Sequence, residues 1–200
     1  MQYSGFYLLL VLASLVVGDP LNSDGKAACL GEHNTYRQQL ATGIVKNKAG
    51  QAMPKAANMN EILYTEALEA KAHEWAAKCV KDHEPNTHYG QNLFAATAHL
   101  EHSEAMKQAT SSWWSEAKLY PNTDLTLTDE LFNHGVGHFT QMAQGKNTKV
   151  GCAVIYCKGT GTLVFCNYER ANIINEPIYE AGDECSKCEE GRTCSNGLCK

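Results

Sequence analysis

The chain has 200 residues, 44% of them apolar and 20% charged, a formal net charge of −5 and nine cysteines. That is enough for one domain with a buried core, and too apolar for wholesale disorder. With 17 basic against 22 acidic residues there is no basic excess to neutralise phosphates, so nucleic acid is not an expected partner.

Residues 6–17 form an unbroken run of apolar and small side chains that ends at Gly18-Asp19-Pro20. The run is short for a membrane span and lacks a basic stop-transfer flank, while Val16 and Gly18 are small enough for the −3 and −1 positions of signal peptidase. Residues 1–18 are therefore read as a signal peptide, 19–182 as the main domain and 183–200 as a cysteine-rich tail. No other apolar segment approaches spanning length, so the product is expected to be secreted and extracellular, with no membrane span. Secretion makes disulfides the default for the cysteines, and an odd number leaves at least one over.

A helix is predicted over 27–40, with Ala28, Leu30, Tyr36 and Leu40 on its apolar side and Thr42-Gly43 as its stop. Residues 43–60 read as a loop. A second helix is predicted over 61–81, where Leu68, Ala72, Trp75, Ala76 and Cys79 share one face. Residues 88–95 alternate weakly, as a strand would. A third helix is predicted over 103–118, with Met106, Ala109, Trp113 and Ala117 aligned, followed by a loop over 119–137. The helical spacing puts Trp75 and Trp113 in the core and leaves Trp114 towards its rim.

The strand signal is strongest late. Residues 150–157 and 162–168 are apolar on both faces and are joined by Lys158-Gly-Thr-Gly161, a hairpin whose sheet must be covered on each side. With three helices available, the expected class is α+β, a three-layer α-β-α sandwich around a central antiparallel sheet. Residues 184–200 hold four cysteines and almost no hydrophobic side chains, so cross-links must hold them. Their spacing does not match paired C-x2-C zinc ligands, and two disulfides are the better reading.

Six of the eight histidines lie between residues 83 and 138, and no phosphate loop, G-x-S-x-G elbow, H-E-x-x-H helix or N-x-[ST] sequon is present. A two-histidine site with nearby carboxylates is possible, but spacing alone does not choose the pair.

Five ordered motifs do. His33-Asn34-x-x-Arg37, Gly90-Gln91-Asn92-Leu93, Gly137-His-Phe-Thr-Gln-Met142, Gly151-Cys-Ala153 and Cys166-Asn-Tyr168 with Asn172-Ile-Ile174 resemble the signatures of the CAP superfamily. That family includes the cysteine-rich secretory proteins, insect venom allergens and plant pathogenesis-related proteins. The resemblance covers roughly 27–174 and is greatest to the activation-associated secreted, or venom allergen-like, proteins of parasitic nematodes. It implies an α-β-α fold whose cleft holds two His and two Glu. Carried over, the histidines are His83 and His138, candidate ligands of a weakly bound divalent cation such as zinc. One glutamate is Glu116, and the other position is Gln91. Gln144 stands where a Trp is usual, and the stretch from Cys166 to Asn172 is one residue short. His33, Asn34 and Arg37 are read as structural.

The resemblance also implies the pairings Cys79–Cys157, Cys152–Cys166, Cys185–Cys194 and Cys188–Cys199. Cys29, with no partner at Ile62-Leu-Tyr-Thr-Glu66, is then the free thiol, buried on the first helix or bridging two chains. An amide at position 91 can orient water but is no base and carries no charge, which weakens hydrolysis. The function implied is a non-enzymatic secreted binding protein at a host–parasite interface. Its partner would be a host protein, or a lipid such as a sterol or fatty acid, met as a monomer or weak homodimer. A zinc-dependent hydrolase is the alternative.

Overall fold

The computed structural model describes residues 20–200, so the predicted signal peptide lies outside the described residues. The elements run α1 (Ser23–Ala41), β1 (Leu63–Tyr64), α2 (Glu66–Ala76), β2 (Gly90–Ala96), α3 (His102–Ser115), a 3-10 turn (Glu116–Leu119), α4 (Asp129–Asn133), α5 (Gly137–Ala143), β3 (Lys149–Cys157), β4 (Gly161–Tyr168), β5 (Cys194–Ser195) and β6 (Leu198–Cys199).

The main sheet has the order β1-β3-β4-β2. Its three long strands are antiparallel, and the two-residue β1 joins the edge in parallel with β3. Side chains alternate across it. Val150, Cys152, Val154, Val164, Cys166 and Tyr168 face a core shared with α1, α3 and α5. Ala153, Leu163 and Phe165 face the opposite way, onto Ala72 and Ala76 of α2. Three layers follow from that alternation, since both faces of the hairpin are apolar and each needs a helix. Gly151 lets α2 come close: a Cβ there would sit 2.2 Å from the Glu69 backbone nitrogen.

Several predicted boundaries move, the first helix starting at Ser23 rather than 27 because Asn22 caps it through the Gly25 N–H. The second helix is shorter than the apolar spacing suggests, because Thr65 caps it with its hydroxyl and Leu63-Tyr64 joins the sheet instead. Its far end closes before Cys79, which takes a positive φ of 55° and bonds Cys157. The segment 119–137 holds α4, capped by Thr128. The G-H-F-T-Q motif is itself helical, as α5.

Two aromatic placements also shift. Trp75 is only half-buried, its indole N–H donating to the Asp82 carbonyl under the Lys78 ammonium. Trp114 is buried and stacks on Tyr36 at 5.0 Å between ring centroids. Trp113 is in the core, its indole donating to the Leu93 carbonyl.

Polar residues of α1 tie the layers together. The Asn34 amide brackets Ile62 through both its N–H and its C=O. The buried Arg37 guanidinium donates to the carbonyls of Asn60, Met142, Gln144, Gly145 and Asn147. His33 donates from Nδ1 to the Cys29 carbonyl and accepts the Tyr168 hydroxyl at Nε2.

The tail carries Cys185–Cys194 and Cys188–Cys199. Cross-links are not its only restraint: the Cys199 N–H donates to the Met59 carbonyl, Glu61 N–H donates back to Cys199, and Leu198 is buried. The hairpin β5–β6 is thus seated on the segment whose Asn60 carbonyl holds Arg37.

Full burial, outweighing the hydrogen bond to Cys29 and reinforced by the Arg37 charge, pushes the His33 imidazole down to about 4. The unfolded chain binds that proton near pH 6.5 and the folded chain does not, so stability is fully present above 6.5 and is lost as pH falls towards 4. Chemical denaturation at stepped pH should show wild type losing about 3 kcal/mol more than His33→Gln across this window. Equal losses in the two proteins would show that His33 is not buried neutral.

Candidate functional site

At the end of the sheet where β2 begins, a cleft of about 460 Å³ opens between the 83–92 segment and the N-terminus of α5. His83, Gln91, Glu116 and His138 all line it. The two imidazole rings lie 6.3 Å apart between centroids, tilted by 35°.

Each imidazole is oriented from behind. His138 Nδ1 meets Glu116 Oε1 at 2.6 Å, and His83 Nδ1 meets Gln91 Oε1 at 3.1 Å. A carboxylate and an amide oxygen can only accept, so both Nδ1 atoms carry hydrogen, and in the neutral ring this tautomer leaves the lone pair on Nε2. The Gln91 orientation is set independently: Oε1 accepts the Glu84 backbone N–H at 3.0 Å, and Nε2 donates to Asn167 Oδ1 at 2.9 Å.

Glu116 does more than orient a ring. Its Oε2 accepts the backbone N–H groups of His138 at 2.9 Å and Phe139 at 3.0 Å. It therefore serves as the missing N-terminal acceptor of α5, whose flanking Val136 offers no side-chain hydrogen bond. Trp113 lies parallel behind His138, with ring centroids 6.1 Å apart. Asn92, from the Gly90-Gln-Asn motif, donates to the His138 carbonyl.

Sequence reasoning missed Glu84. It also lines the cleft, and its Oε2 accepts the Tyr89 hydroxyl. Desolvation, followed by the bond to Glu84, holds the Tyr89 phenol above its ordinary range, so it stays a donor. The signal was its place directly after His83 in a segment that must wrap round to Gln91.

The departures at 144 and 166–172 leave the wall closed. Gln144 is buried, with Oε1 accepting the Lys146 N–H. The shortened turn is tied at Arg170, whose backbone bonds Gln141 and Asn147, and Asn172 donates to Gly137 and Thr140 of α5. His99 stacks on Tyr156 and His102 accepts the Asn22 N–H, so neither reaches the cleft. The disulfides are Cys79–Cys157, Cys152–Cys166 and the two of the tail, with Cys29 free and buried.

An α-β-α sandwich with paired imidazoles at one end of its sheet defines the CAP class of domain. The model of the cysteine-rich secretory protein family matches residues 30–168, and the chain belongs to that family. It is 35% identical over 181 residues to Ancylostoma secreted protein of Ancylostoma caninum, covering 85% of this chain and spanning 42% of that protein's length. It is 33% identical to venom allergen 5.02 of Dolichovespula maculata, covering 84% of this chain and 82% of the allergen. The crystal structure of NaASP2 with Zn2+ matches with a TM-score of 0.85 and 34% identity, over 91% of this chain and 98% of that one.

If Glu116 caps α5, its loss should be felt with no metal present. Glu116→Ala strands two helix N–H groups and one imidazole N–H, a cost of about 1–3 kcal/mol. Thermal melting in EDTA should show the midpoint several degrees lower. An unchanged midpoint would show that the carboxylate does not hold the helix.

Proposed function

We propose that this chain is a secreted, non-enzymatic binding protein whose cleft holds a divalent cation through Nε2 of His83 and of His138. The carrying observation is the matched pair of orienting acceptors: Gln91 behind one ring and Glu116 behind the other fix hydrogen on both Nδ1 atoms of two imidazoles that line one cleft. The donor set suits zinc, which takes imidazole nitrogen and leaves its remaining positions to water. A bound cation would polarise water in the cleft. The chain's own residues are poorly placed to go further. Both oxygens of Glu116 are engaged by α5 and His138, position 91 carries an amide, and one oxygen of Glu84 is held by Tyr89. No cysteine is among the described residues lining the cleft, and the one free cysteine, Cys29, is buried elsewhere in the core, so no thiolate nucleophile faces it. Hydrolysis needs a base and a site for the developing oxyanion, and of the cleft carboxylates only the second oxygen of Glu84 carries no hydrogen bond among the described residues.

That one similar structure holds Zn2+ supports the cation. Relatives that are a secreted protein and a venom allergen support release from the cell, with residues 1–18 as signal peptide, 19–182 as the CAP domain and 183–200 as its docked tail. On this reading the protein acts at a host–parasite interface, as a monomer or weak homodimer, on a host protein or a lipid. Affinity capture from host serum, host cells and lipid extract with the folded chain as bait tests this. Recovery of neither a saturable protein nor a lipid ligand would count against it.

Calorimetry with zinc should show one site that weakens on acidification, since protons compete for both Nε2 atoms. Gln91→Ala should weaken it roughly tenfold by freeing the His83 ring, and His83→Ala/His138→Ala should abolish it. Uptake unchanged in the double variant would place the ligands elsewhere.

With saturating zinc the protein should hydrolyse peptide, ester and phospholipid substrates no faster than buffer. Zinc-dependent turnover that Glu116→Ala or Glu84→Gln removes would establish the hydrolase instead.

A further inference from the structure

The odd cysteine is not isolated. Cys29 of α1 is fully buried, and its Sγ lies 3.3 Å from Sγ of Cys152. Cys152 is bonded to Cys166, which stands directly opposite it in the β3–β4 register. The three sulfurs lie within 4.8 Å of one another. All three residues project into the core between the sheet and α1. A bond between Cys29 and Cys152 needs their sulfurs to close from 3.3 Å to about 2.05 Å.

We propose that Cys29, Cys152 and Cys166 form an exchangeable three-sulfur set, in which Cys152 can be bonded either to Cys166 across the sheet or to Cys29 of α1. In the exchange, the Cys29 thiolate attacks Sγ of Cys152. The Cys29–Cys152 bond forms, the Cys152–Cys166 bond breaks, and the proton lost by Cys29 is taken up by the Cys166 thiolate. One disulfide and one thiol remain before and after, so no oxidant or reductant is consumed. The covalent tie moves from within the sheet to the junction of helix and sheet. It frees a thiol on β4 beside Asn167, which holds the Gln91 amide.

The native fold keeps the exchange latent. Burial, with the nearby Glu69 charge adding to it, pushes the Cys29 thiol up, so it is held protonated. The adjacent His33 ring is no base for it: Nδ1 is committed to the Cys29 carbonyl and Nε2 to Tyr168. Exchange therefore waits for a local fluctuation that lets water reach and deprotonate Cys29 while it stays beside Cys152.

The test is a thiol count on Cys166→Ser refolded with reduced and oxidised glutathione and assayed in denaturant. Wild type should show one thiol. The variant should show none, with no glutathione adduct by mass, because Cys29 and Cys152 have paired. Two thiols, or an adduct, would overturn the proposal. The wild-type chain gives a reading that does not depend on the variant's folding. Held in sub-denaturing urea with the same glutathione pair, alkylated and digested without reduction, it should yield a Cys29–Cys152 peptide with Cys166 alkylated. A digest that contains only Cys152–Cys166, under conditions where Cys29 is alkylated, would also overturn it. Cys29→Ala should give the single isomer throughout.

Discussion

The fold turns on one buried cation without a counter-ion. Arg37 sits on α1 with no exposed surface, and none of its hydrogen bonds goes to a carboxylate. A lone buried charge is costly unless its donors are all met, and here backbone carbonyls meet them. The planar fork is what makes this possible, since five N–H groups in fixed directions can collect carbonyls from two separate segments. One is Asn60, from the stretch that leads into β1. The others are Met142, Gln144, Gly145 and Asn147, at the exit of α5. Lysine, a point charge with three donors, could not make the same set.

Those carbonyls include the C-terminal end of α5, where a cation is favoured. At the other end of the same seven-residue helix, the Glu116 carboxylate accepts two N–H groups. A helix this short is not stable by propensity alone. It is held between an anion at its N-terminus and a cation at its C-terminus, each supplied by a different helix packed above the sheet. His138 is the second residue of α5, so the same clamp that stabilises the helix places the imidazole in the cleft. The site is thus a by-product of how the first layer is bolted together, and Glu116 serves that structure before any chemistry.

Much of this was legible in the residues. The hairpin was visible because residues 150–157 and 162–168 are apolar on both faces, a pattern that demands two covering layers. The helical stripes of α1 and α3 located two of the covers. Boundaries failed where a local device overrode periodicity. Thr65 and the pairing of Leu63 with Lys149 cut the second helix short, and no apolar spacing announces a two-residue edge strand. α5 was hidden because its stability comes from Arg37 and Glu116, which lie 105 and 22 residues away from their contacts in it. The pair His83 and His138 came from motif resemblance, as spacing among six histidines could not select it. Glu84 escaped because its place directly after His83 becomes a signal only once the 83–91 segment is known to wrap round the cleft.

The substitution at position 91 separates two jobs that a glutamate would combine. An acidic side chain there would both orient the His83 ring and add negative charge to the cleft. The amide keeps the first job, since Oε1 accepts from His83 and from the Glu84 backbone while Nε2 locks onto Asn167. It drops the second. A carboxylate could not donate to Asn167 Oδ1 and would need the Asn167 amide turned round to bond it, whereas Gln91 is fixed with that amide as it stands. What is lost is the group that could take a proton from bound water. Of the remaining carboxylates, Glu116 is spent on α5 and His138, and one oxygen of Glu84 on Tyr89. That division of labour is the physical ground on which recognition, rather than turnover, is proposed for this site.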